Sequence, residues 1–383
     1  MCTKQEIIRL IDADRENMLK LWQELVNTDC GFDYKEGVDG VAAKIGKILE
    51  GMGFITREIP CEKAGNVLIG ELGDMSKPFI VLTGHMDTVF PVGEAARRPF
   101  TIKDGRAYGP SVLDMKGGIV IFLSALKAVL ALGWKRHPVK VILAGDEEPA
   151  HAYSDTAEYI MQESKGAFAA FNFETGFMDN GLVIERKGSY RFIVEVFGRG
   201  AHVGNDPENG RSAIKEMAYK ILDIEALNAP EKDIAVNVGI IEGGTVCNAV
   251  PAYAKITCDM RYKNRDAVAM VKEKLAEIAK KQYVPDTKTV VTDLVNFWNM
   301  QPLPGTAALL KVVQDAAADI GLPVPHGKAV GGGSDSAYIT AVGVPAVCAF
   351  GVRGGRNHTP EEFADVESLF ERTKIFANVL RII

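Results

Sequence analysis

The sequence lacks several features that would place it in other classes of protein. Its 383 residues contain no uninterrupted apolar run of the roughly 20 residues needed to span a bilayer, so no membrane partner is expected. Positive charge is not in excess, because 44 basic residues face 50 acidic ones, and the net charge of −6 excludes a broad nucleic-acid surface. The six cysteines include no C-x-x-C pair, which favours reduced, packed thiols in a cytoplasmic protein over disulfides or a zinc ribbon.

What is present is typical of a globular protein. Hydrophobic residues make up 47% of the chain and charged residues 25%. Acids and bases occur throughout the first 20 residues, which predicts that they do not form a secretory signal. At roughly 150 residues per domain, the length indicates two domains, although it is also compatible with one or three.

The first half of the chain alternates between helical and strand patterns. Residues 118–133 are apolar nearly all round, which predicts a buried helix, and short apolar runs without alternation predict strands covered on both faces. Helical patterns occur at 5–28, 40–52 and 118–133, and strand patterns at 66–72, 79–84, 139–145 and 167–173. This alternation predicts an α/β domain with a mostly parallel, doubly wound sheet.

The pattern changes near residue 188. Alternating strands and amphipathic helices follow in the order β-α-β-β-α-β, at 189–198, 211–227, 234–243, 249–262, 264–282 and 287–294. That order is typical of a ferredoxin-like module. The sequence therefore predicts one α/β domain from residues 1–187 and 298–383, interrupted by an inserted α+β domain at 188–297.

Acids and histidines follow the ends of the predicted parallel strands. They are His85 and Asp87 after 79–84, Glu147 and Glu148 after 139–145, Glu174 after 167–173, and His358 in the loop after 344–350. Asp114 lies in a glycine-flanked loop directly before the helix at 118–133. Because the carboxyl ends of strands in an open α/β sheet meet at one crevice, these side chains are expected to share a site.

This combination of side chains favours a pair of zinc-like ions. Several carboxylates in one crevice would repel one another unless positive charge lay among them. Two imidazoles and three carboxylates suit two such ions, with one carboxylate bridging, and a bound hydroxide completes the charge balance. Magnesium and calcium are disfavoured, because imidazole suits those oxygen-seeking ions poorly.

Local spacing indicates two further roles. On a strand, residues 85 and 87 face the same side, so Asp87 is expected to hold the far nitrogen of His85 and orient it toward a metal. Glu147 and Glu148 point in different directions, so one can bind metal while the other acts as the general base. Asp114 has an alternative interpretation as the N-cap of the following helix.

Nine motifs occur in one order across nearly the whole chain: GHMDT, LDMKGG, GDEEP, FET, GRGAHVGNDPENGRSA, GGTVCNAVP, DMR, GGGSDSAY and NHTPEE. In this order they resemble the co-catalytic zinc peptidase family of glutamate carboxypeptidase, aminoacylase, acetylornithine deacetylase and succinyl-diaminopimelate desuccinylase. The pattern is most similar to that of bacterial glutamate carboxypeptidase.

The resemblance implies a role for each predicted site residue in the α/β domain. Asp114 would bridge two Zn²⁺ ions per subunit, with Co²⁺ or Mn²⁺ as substitutes. His85 and Glu174 would complete one metal site, and Glu148 and His358 the other. Glu147 would be the base that deprotonates the bridging water and then protonates the leaving amine, and the Asp114–Met115 peptide bond would be cis.

The resemblance also implies roles in the inserted domain, which matches the family's lid and dimerisation domain. His202 would reach across a homodimer to stabilise the oxyanion, Arg261 and Asn248 would hold the substrate's carboxylate, and the loop at 331–335 would add backbone contacts. Simpler interpretations are an exposed loop histidine at 202, a turn residue at 248, and a surface ion pair of Arg261 with Asp259 or Asp266.

Two departures from the family pattern narrow the expected function. The segment GDEEPAHA has no glycine closely after the glutamate pair and adds His151, to which no role is assigned. The segments 176–181 and 292–297 lack the extra basic residues of glutamate-specific relatives, which disfavours glutamate as the released residue.

The resemblance thus implies a cytoplasmic amide hydrolase acting on a peptide beside a free carboxylate. The alternatives are an N-acyl-amino-acid deacylase and a catalytically inactive metal-binding regulatory protein.

Overall fold

The computed structural model describes residues 3–383, which form two compact units. The first unit comprises the chain up to Glu185 together with Met300–Val330 and Ser334–Ile383. The second comprises Arg186–Asn299 and the three glycines Gly331–Gly333. Among the described residues, no helix is both long enough and apolar enough to cross a membrane.

The elements follow in chain order. The helices are α1 Lys4–Ala13, α2 Arg15–Val26, α3 Lys35–Gly51, α4 Glu94–Arg97, α5 Gly117–Ala131, α6 Thr156–Ser164, α7 Ala213–Glu225, α8 Asp266–Lys280, α9 Thr306–Asp319, α10 Ser336–Ala341 and α11 Val366–Ile382. The strands are β1 Ile55–Ile59, β2 Gly65–Leu72, β3 Phe79–His85, β4 Thr101–Lys103, β5 Arg106–Tyr108, β6 Val139–Gly145, β7 Ala167–Asn172, β8 Gly176–Phe177, β9 Gly181–Arg186, β10 Gly188–Phe197, β11 Ala201–His202, β12 Ala235–Gly243, β13 Ala249–Val250, β14 Tyr253–Tyr262, β15 Lys288–Phe297, β16 His326–Val330, β17 Ala346–Val347, β18 Arg353–Gly355 and β19 Phe363–Asp365.

A six-stranded sheet forms the centre of the first unit, in the order β1-β2-β6-β3-β7-β17. The pairs β6–β3, β3–β7 and β7–β17 are parallel, whereas β1 and β2 add an antiparallel edge. Every residue of β3 and β6 is buried, which explains their largely apolar sequence without alternation. The prediction of an α/β fold with a mostly parallel sheet is confirmed.

Helices pack against this sheet with their apolar faces. Helix α5 is buried along almost its whole length, as its nearly all-round apolar sequence predicts. Four phenylalanine rings, those of Phe171, Phe173, Phe350 and Phe376, pack against one another with centroids 4.8–6.0 Å apart. These contacts place the hydrophobic core directly behind the ends of the parallel strands.

The helical pattern predicted at 5–28 corresponds to two helices. Asp14 separates α1 from α2, with φ −100° and ψ 5°, outside the helical region. Its carboxylate accepts hydrogen bonds from the Lys127 ammonium at 2.7 and 2.9 Å and from the Asn17 amide at 2.7 Å. Periodicity alone does not reveal such a break, because both helices bury apolar residues with helical spacing.

The second unit has the predicted β-α-β-β-α-β order, formed by β10, α7, β12, β14, α8 and β15. Its four strands form an antiparallel sheet in the order β12-β14-β10-β15, which is the ferredoxin-like arrangement. A fully buried ion pair joins Lys220 and Glu216 on α7. The Lys220 ammonium also donates to the carbonyl oxygens of Ile278 and Lys281, which ties α7 to the carboxyl end of α8.

Candidate metal centre

Three neighbouring parallel strands deliver the site residues to one edge of the central sheet. Strand β3 ends at His85, which pairs in register with Ala144, one residue before the end of β6. Glu147 and Glu148 lie two and three residues after the end of β6, and Glu174 lies two residues after the end of β7. Because the strands are parallel and adjacent, residues that follow their carboxyl ends lie close together.

The structure brings five of these side chains into two clusters that share Asp114. His85 Nε2 lies 3.2 Å from Asp114 Oδ1 and 3.5 Å from Glu174 Oε1. His358 Nε2 lies 3.2 Å from Asp114 Oδ2 and 3.2 Å from Glu148 Oε2. In each cluster the possible ligand atoms lie within 4.8 Å of one another, a separation that allows one metal ion to contact all three.

Asp114 does not act as the N-cap of α5. It lies in a wide helical turn, Val112–Lys116, with non-helical backbone angles, and no side chain caps α5. The Asp114–Met115 peptide bond is cis, as the family resemblance implies. The Asp114 carboxylate therefore projects one oxygen toward His85 and the other toward His358.

Two residues that the sequence analysis did not single out hold the Asp114 segment. The carboxylate of buried Glu362 accepts hydrogen bonds from the backbone N–H groups of Leu113 and Asp114, at 2.8 and 3.1 Å. The Asn357 side-chain amide donates to Asp114 Oδ2 at 3.2 Å. Both residues belong to the NHTPEE motif, which was the available signal, but only the tertiary contacts show what they do.

Asp87 contacts the nitrogen of His85 that faces away from Asp114, although strand alternation does not place it there. Strand β3 ends at His85, so strand alternation does not extend to Asp87. His85 Nδ1 is 3.1 Å from the Asp87 backbone oxygen and 3.3 Å from its carboxylate. The same carboxylate accepts the backbone N–H groups of Glu147 and Glu148, at 3.1 and 3.0 Å, so Asp87 holds the histidine and the glutamate pair together.

Glu148 provides a test of whether the site fits a cation. Its Oε2 contacts His358, whereas its Oε1 is buried and has no hydrogen-bond partner. A buried carboxylate oxygen without a donor is costly unless a positive charge compensates it. Two imidazoles and three carboxylates match the ligands that zinc prefers, so the residues fit a dinuclear centre.

The electrostatics of the site show how strongly these groups compete for positive charge. Burial and the charge of Glu174 raise the pKa of Glu147. Burial and the charge of Asp114 raise the pKa of Glu148. Burial also raises the pKa of Asp114, but hydrogen bonds from His358 and His85 outweigh it and leave that pKa below its ordinary value. Hydrogen bonds to Asp114 and Glu148 raise the pKa of His358 to about 11. These shifts reflect the concentration of buried carboxylates that a bound cation would stabilise.

The second unit holds the three remaining predicted site residues. His202 lies on β11 and is exposed, and its Nδ1 accepts the backbone N–H groups of Gly204 and Asn205 at 3.1 and 3.2 Å. Asn248 is exposed directly before β13. Arg261 donates to Asp259 at 2.7 Å and to the Gly331 carbonyl oxygen at 3.3 Å. The ion pair that the sequence analysis weighed as an alternative for Arg261 is therefore present.

The α/β unit, its shared acid–histidine clusters and the inserted ferredoxin-like unit define a metal-dependent hydrolase. The chain belongs to peptidase family M20/M25/M40, whose sequence pattern matches residues 81–382. The predicted family resemblance is confirmed. Members of the family typically hold a dinuclear zinc centre, in agreement with the two imidazoles and three carboxylates described above.

Relatives cover nearly the whole chain. Carboxypeptidase G2 of Pseudomonas sp. (strain RS-16) is 28% identical over 373 residues, which are 95% of this chain and 88% of the relative. Succinyl-diaminopimelate desuccinylase of Gluconobacter oxydans is 26% identical and covers 88% of this chain and 90% of its own length. A tripeptidase structure from Staphylococcus aureus has a TM-score of 0.80 at 21% identity, covers 96% and 98% of the two chains, and supports the fold.

Proposed function

We propose that this protein hydrolyses the amide bond of a peptide beside a free carboxylate, with Glu147 as the general base. The observation that carries the proposal is the pair of clusters sharing Asp114, with Glu147 next in sequence to Glu148 but in neither cluster. A carboxylate in that position remains available to move protons beside the metals. The carboxypeptidase relative supports a peptide substrate with a free carboxylate.

The proposal assigns each cluster one zinc ion. His85, Asp114 and Glu174 would hold one ion, and Asp114, Glu148 and His358 the other. Zinc bound there supplies Lewis-acid polarisation of the scissile carbonyl and lowers the pKa of water. The chain's own residues provide the rest of the arrangement, because the Asp87 carboxylate holds the backbone on which Glu147 is mounted.

Glu147 takes the proton from the attacking water and later delivers it to the leaving amine. Burial and the neighbouring negative charges raise its pKa, which makes it a better proton acceptor than an ordinary exposed glutamate. Its backbone N–H is held by Asp87, so the side chain starts from a defined position. Such positioning is what general acid–base catalysis requires.

His202 is assigned the stabilisation of the oxyanion. Its Nδ1 accepts two backbone hydrogen bonds, which leaves Nε2 as the ring nitrogen that donates. Asn248 and Arg261 are assigned to the substrate's carboxylate, and a guanidinium matches that group well. In this proposal the bond from Arg261 to Asp259 holds the guanidinium in place.

We further propose that two copies of the chain associate through the second unit. Strand β12 forms one edge of the described four-stranded sheet, and an unpaired edge is a template for pairing with another chain. Exposed apolar side chains accompany it, including Ile241 on β12, 59% exposed, and Leu222 on α7, 68% exposed. An unpaired strand edge flanked by apolar residues is typical of an interface between subunits.

Sedimentation velocity tests this association. The parent protein should sediment with twice the chain mass of 41.5 kDa, and Leu222→Lys and Ile241→Lys together should shift it toward the single chain. Burying two lysines in an apolar interface is unfavourable unless each is paired. Ile55→Lys is the matched control, because Ile55 is 78% exposed on β1 in the first unit. A parent that sediments as a single chain at micromolar concentration contradicts the proposal.

A substrate panel tests the reaction. Zinc-loaded protein should hydrolyse dipeptides and peptides with a free C-terminal carboxylate, and amidation of that carboxylate should lower kcat/KM. Arg261→Met should reduce the difference between the free and the amidated substrate, because a hydrogen bond to a charged group contributes about 1.5–3 kcal/mol, or roughly 10- to 150-fold. Equal rates for both substrates in the parent protein would exclude carboxylate recognition.

The same panel separates a second candidate, an N-acyl-amino-acid deacylase. The desuccinylase relative and an acetylornithine deacetylase relative from Proteus mirabilis support this alternative. Preference for N-succinyl or N-acetyl amino acids over dipeptides would select it. The presence of Glu147 beside the clusters disfavours the alternative of an inactive metal-binding protein. The cytoplasmic location of the protein stays a prediction.

A further inference from the structure

A buried histidine outside the two clusters links two loops of the first unit. His151 Nδ1 lies 3.0 Å from Asp146 Oδ1, and His151 Nε2 lies 2.7 Å from Asp335 Oδ1. Its ring also packs against Tyr338, with centroids 5.5 Å apart. Among the described residues, the clusters that could hold a metal do not include His151. The contacts of His151 with Asp146 and Asp335 therefore lie outside both metal clusters.

The backbone around His151 adopts an unusual path. Ala150 and His151 both have left-handed angles, with φ 57° and 56°. Two consecutive non-glycine residues in that region are unfavourable unless their surroundings hold them there. The backbone N–H of His151 donates to the Asp146 carbonyl oxygen at 3.0 Å, which closes a tight loop around Glu147 and Glu148. The side-chain bonds of His151 to Asp146 and Asp335 are among the contacts that stabilise this path.

The loop is anchored at both ends by side chains distant in sequence. At one end the Asp87 carboxylate accepts the backbone N–H groups of Glu147 and Glu148. At the other end His151 bonds to Asp335, which directly precedes α10 and lies 184 positions further along the chain. The loop that carries the glutamate pair is therefore held by Asp87 on one side and by the bond from His151 to Asp335 on the other.

The charged groups around His151 agree with its role as a link between Asp146 and Asp335. Burial by itself lowers the pKa of His151, but the carboxylates of Asp335 and Asp146 outweigh burial and raise it well above its ordinary value. Both ring nitrogens of the imidazole therefore face a carboxylate. Asp335 is one of the negative charges that act on Glu147, so the bond from His151 to Asp335 joins the histidine to a group that influences Glu147.

We propose that His151 is a positioning residue, which locks the loop carrying Glu147 and Glu148 to Asp335 and so fixes the direction of Glu147. This inference rests on the proposed function only for its effect on turnover, because the locking of the loop is measurable without any substrate. The nitrogen positions make the inference specific. An asparagine side chain reaches where Nδ1 lies and keeps the Asp146 bond, whereas a glutamine reaches where Nε2 lies and keeps the Asp335 bond.

The test compares His151→Asn, His151→Gln and Asp335→Asn in the zinc-loaded protein. His151→Asn is expected to lower kcat by about 10- to 100-fold with little change in KM or zinc content, because a small misplacement of a catalytic group has an effect of this order. His151→Gln should recover part of the loss. The double variant His151→Asn/Asp335→Asn should lose no more kcat than the more affected of the two single variants. The reason is that both substitutions break the same hydrogen bond between His151 and Asp335.

His137→Asn is the matched control. His137 precedes β6 at the opposite end from the glutamate pair, and its ring packs against Phe168. This control should keep the parent kcat. A His151→Asn protein with kcat within about twofold of the parent at full zinc content overturns the proposal, as does a loss of rate that merely follows a loss of zinc.

Hydrogen exchange gives a readout that needs no substrate. Amide exchange of the segment 146–152 should be faster in His151→Asn than in the parent or in His137→Asn, because the loop loses its link to Asp335. Unchanged protection of that segment overturns the proposal. If the parent hydrolyses nothing in the panel but the exchange difference is present, the proposed function fails and the positioning of the loop stands.

Discussion

Replacing Glu147 with glutamine is expected to lower kcat by about 10²- to 10⁴-fold while both zinc ions remain bound, because a positioned general base contributes that much. Glu147 belongs to neither metal cluster, and its backbone is held by Asp87 rather than by a metal. An amide has nearly the same shape as the carboxylate but does not accept the proton. The measurement is steady-state kcat together with zinc per chain by elemental analysis.

Glu158→Gln is the control for this prediction. Glu158 is an exposed glutamate on α6, the helix that follows the same loop, and its substitution should leave kcat unchanged. Two results would contradict the assignment of Glu147. A near-normal rate in Glu147→Gln would mean that another group moves the proton. A loss of zinc in parallel with activity would mean that Glu147 is a ligand.

Replacing Asp114 with asparagine is expected to weaken binding at both metal positions and abolish turnover. Asp114 is the one residue common to both described clusters, with Oδ1 facing His85 and Oδ2 facing His358. Since loss of a residue that merely supports a ligand weakens metal binding by about 10- to 100-fold, loss of a shared ligand should exceed that range. Calorimetric zinc titration and zinc per chain after dialysis measure the effect.

Glu174→Gln is the matched comparison, because Glu174 belongs to one cluster only. It should leave one zinc ion firmly bound, held by Asp114, Glu148 and His358, and weaken the other. An Asp114→Asn protein that keeps two tightly bound ions would contradict the shared role. Loss of both ions in Glu174→Gln would mean that the two positions fill only together.

Much of the site could be anticipated because it follows from the sheet. The buried runs that end at His85, Gly145 and Asn172 are readable from their composition, and all three became neighbouring parallel strands. Because the carboxyl ends of neighbouring parallel strands lie at the same edge of the sheet, the residues that follow them come close together. The proximity of His85, Glu148 and Glu174 was therefore predictable from short segments.

Other parts of the site depended on contacts between distant segments. Glu362 accepts the N–H groups of Leu113 and Asp114 across 249 and 248 positions of the chain. Asp87 was expected to hold His85 by strand alternation, but β3 ends at His85, and the Asp87 carboxylate contacts both His85 Nδ1 and the backbone of the glutamate pair. Local patterns carry no information on such partners, because hydrogen-bond partners are set by packing rather than by spacing.

The amino-acid order alone determined the class of fold, the ferredoxin-like insertion and the set of chemically active side chains. Each of these follows from periodicity, from burial and from ordered motifs, which act over a few residues at a time. Tertiary structure alone decided that Glu362 holds the backbone of the Asp114 segment and that His151 joins Asp146 to Asp335. The physical reason is that these relations need side chains from remote segments at hydrogen-bonding distance, and only the packed core establishes such distances.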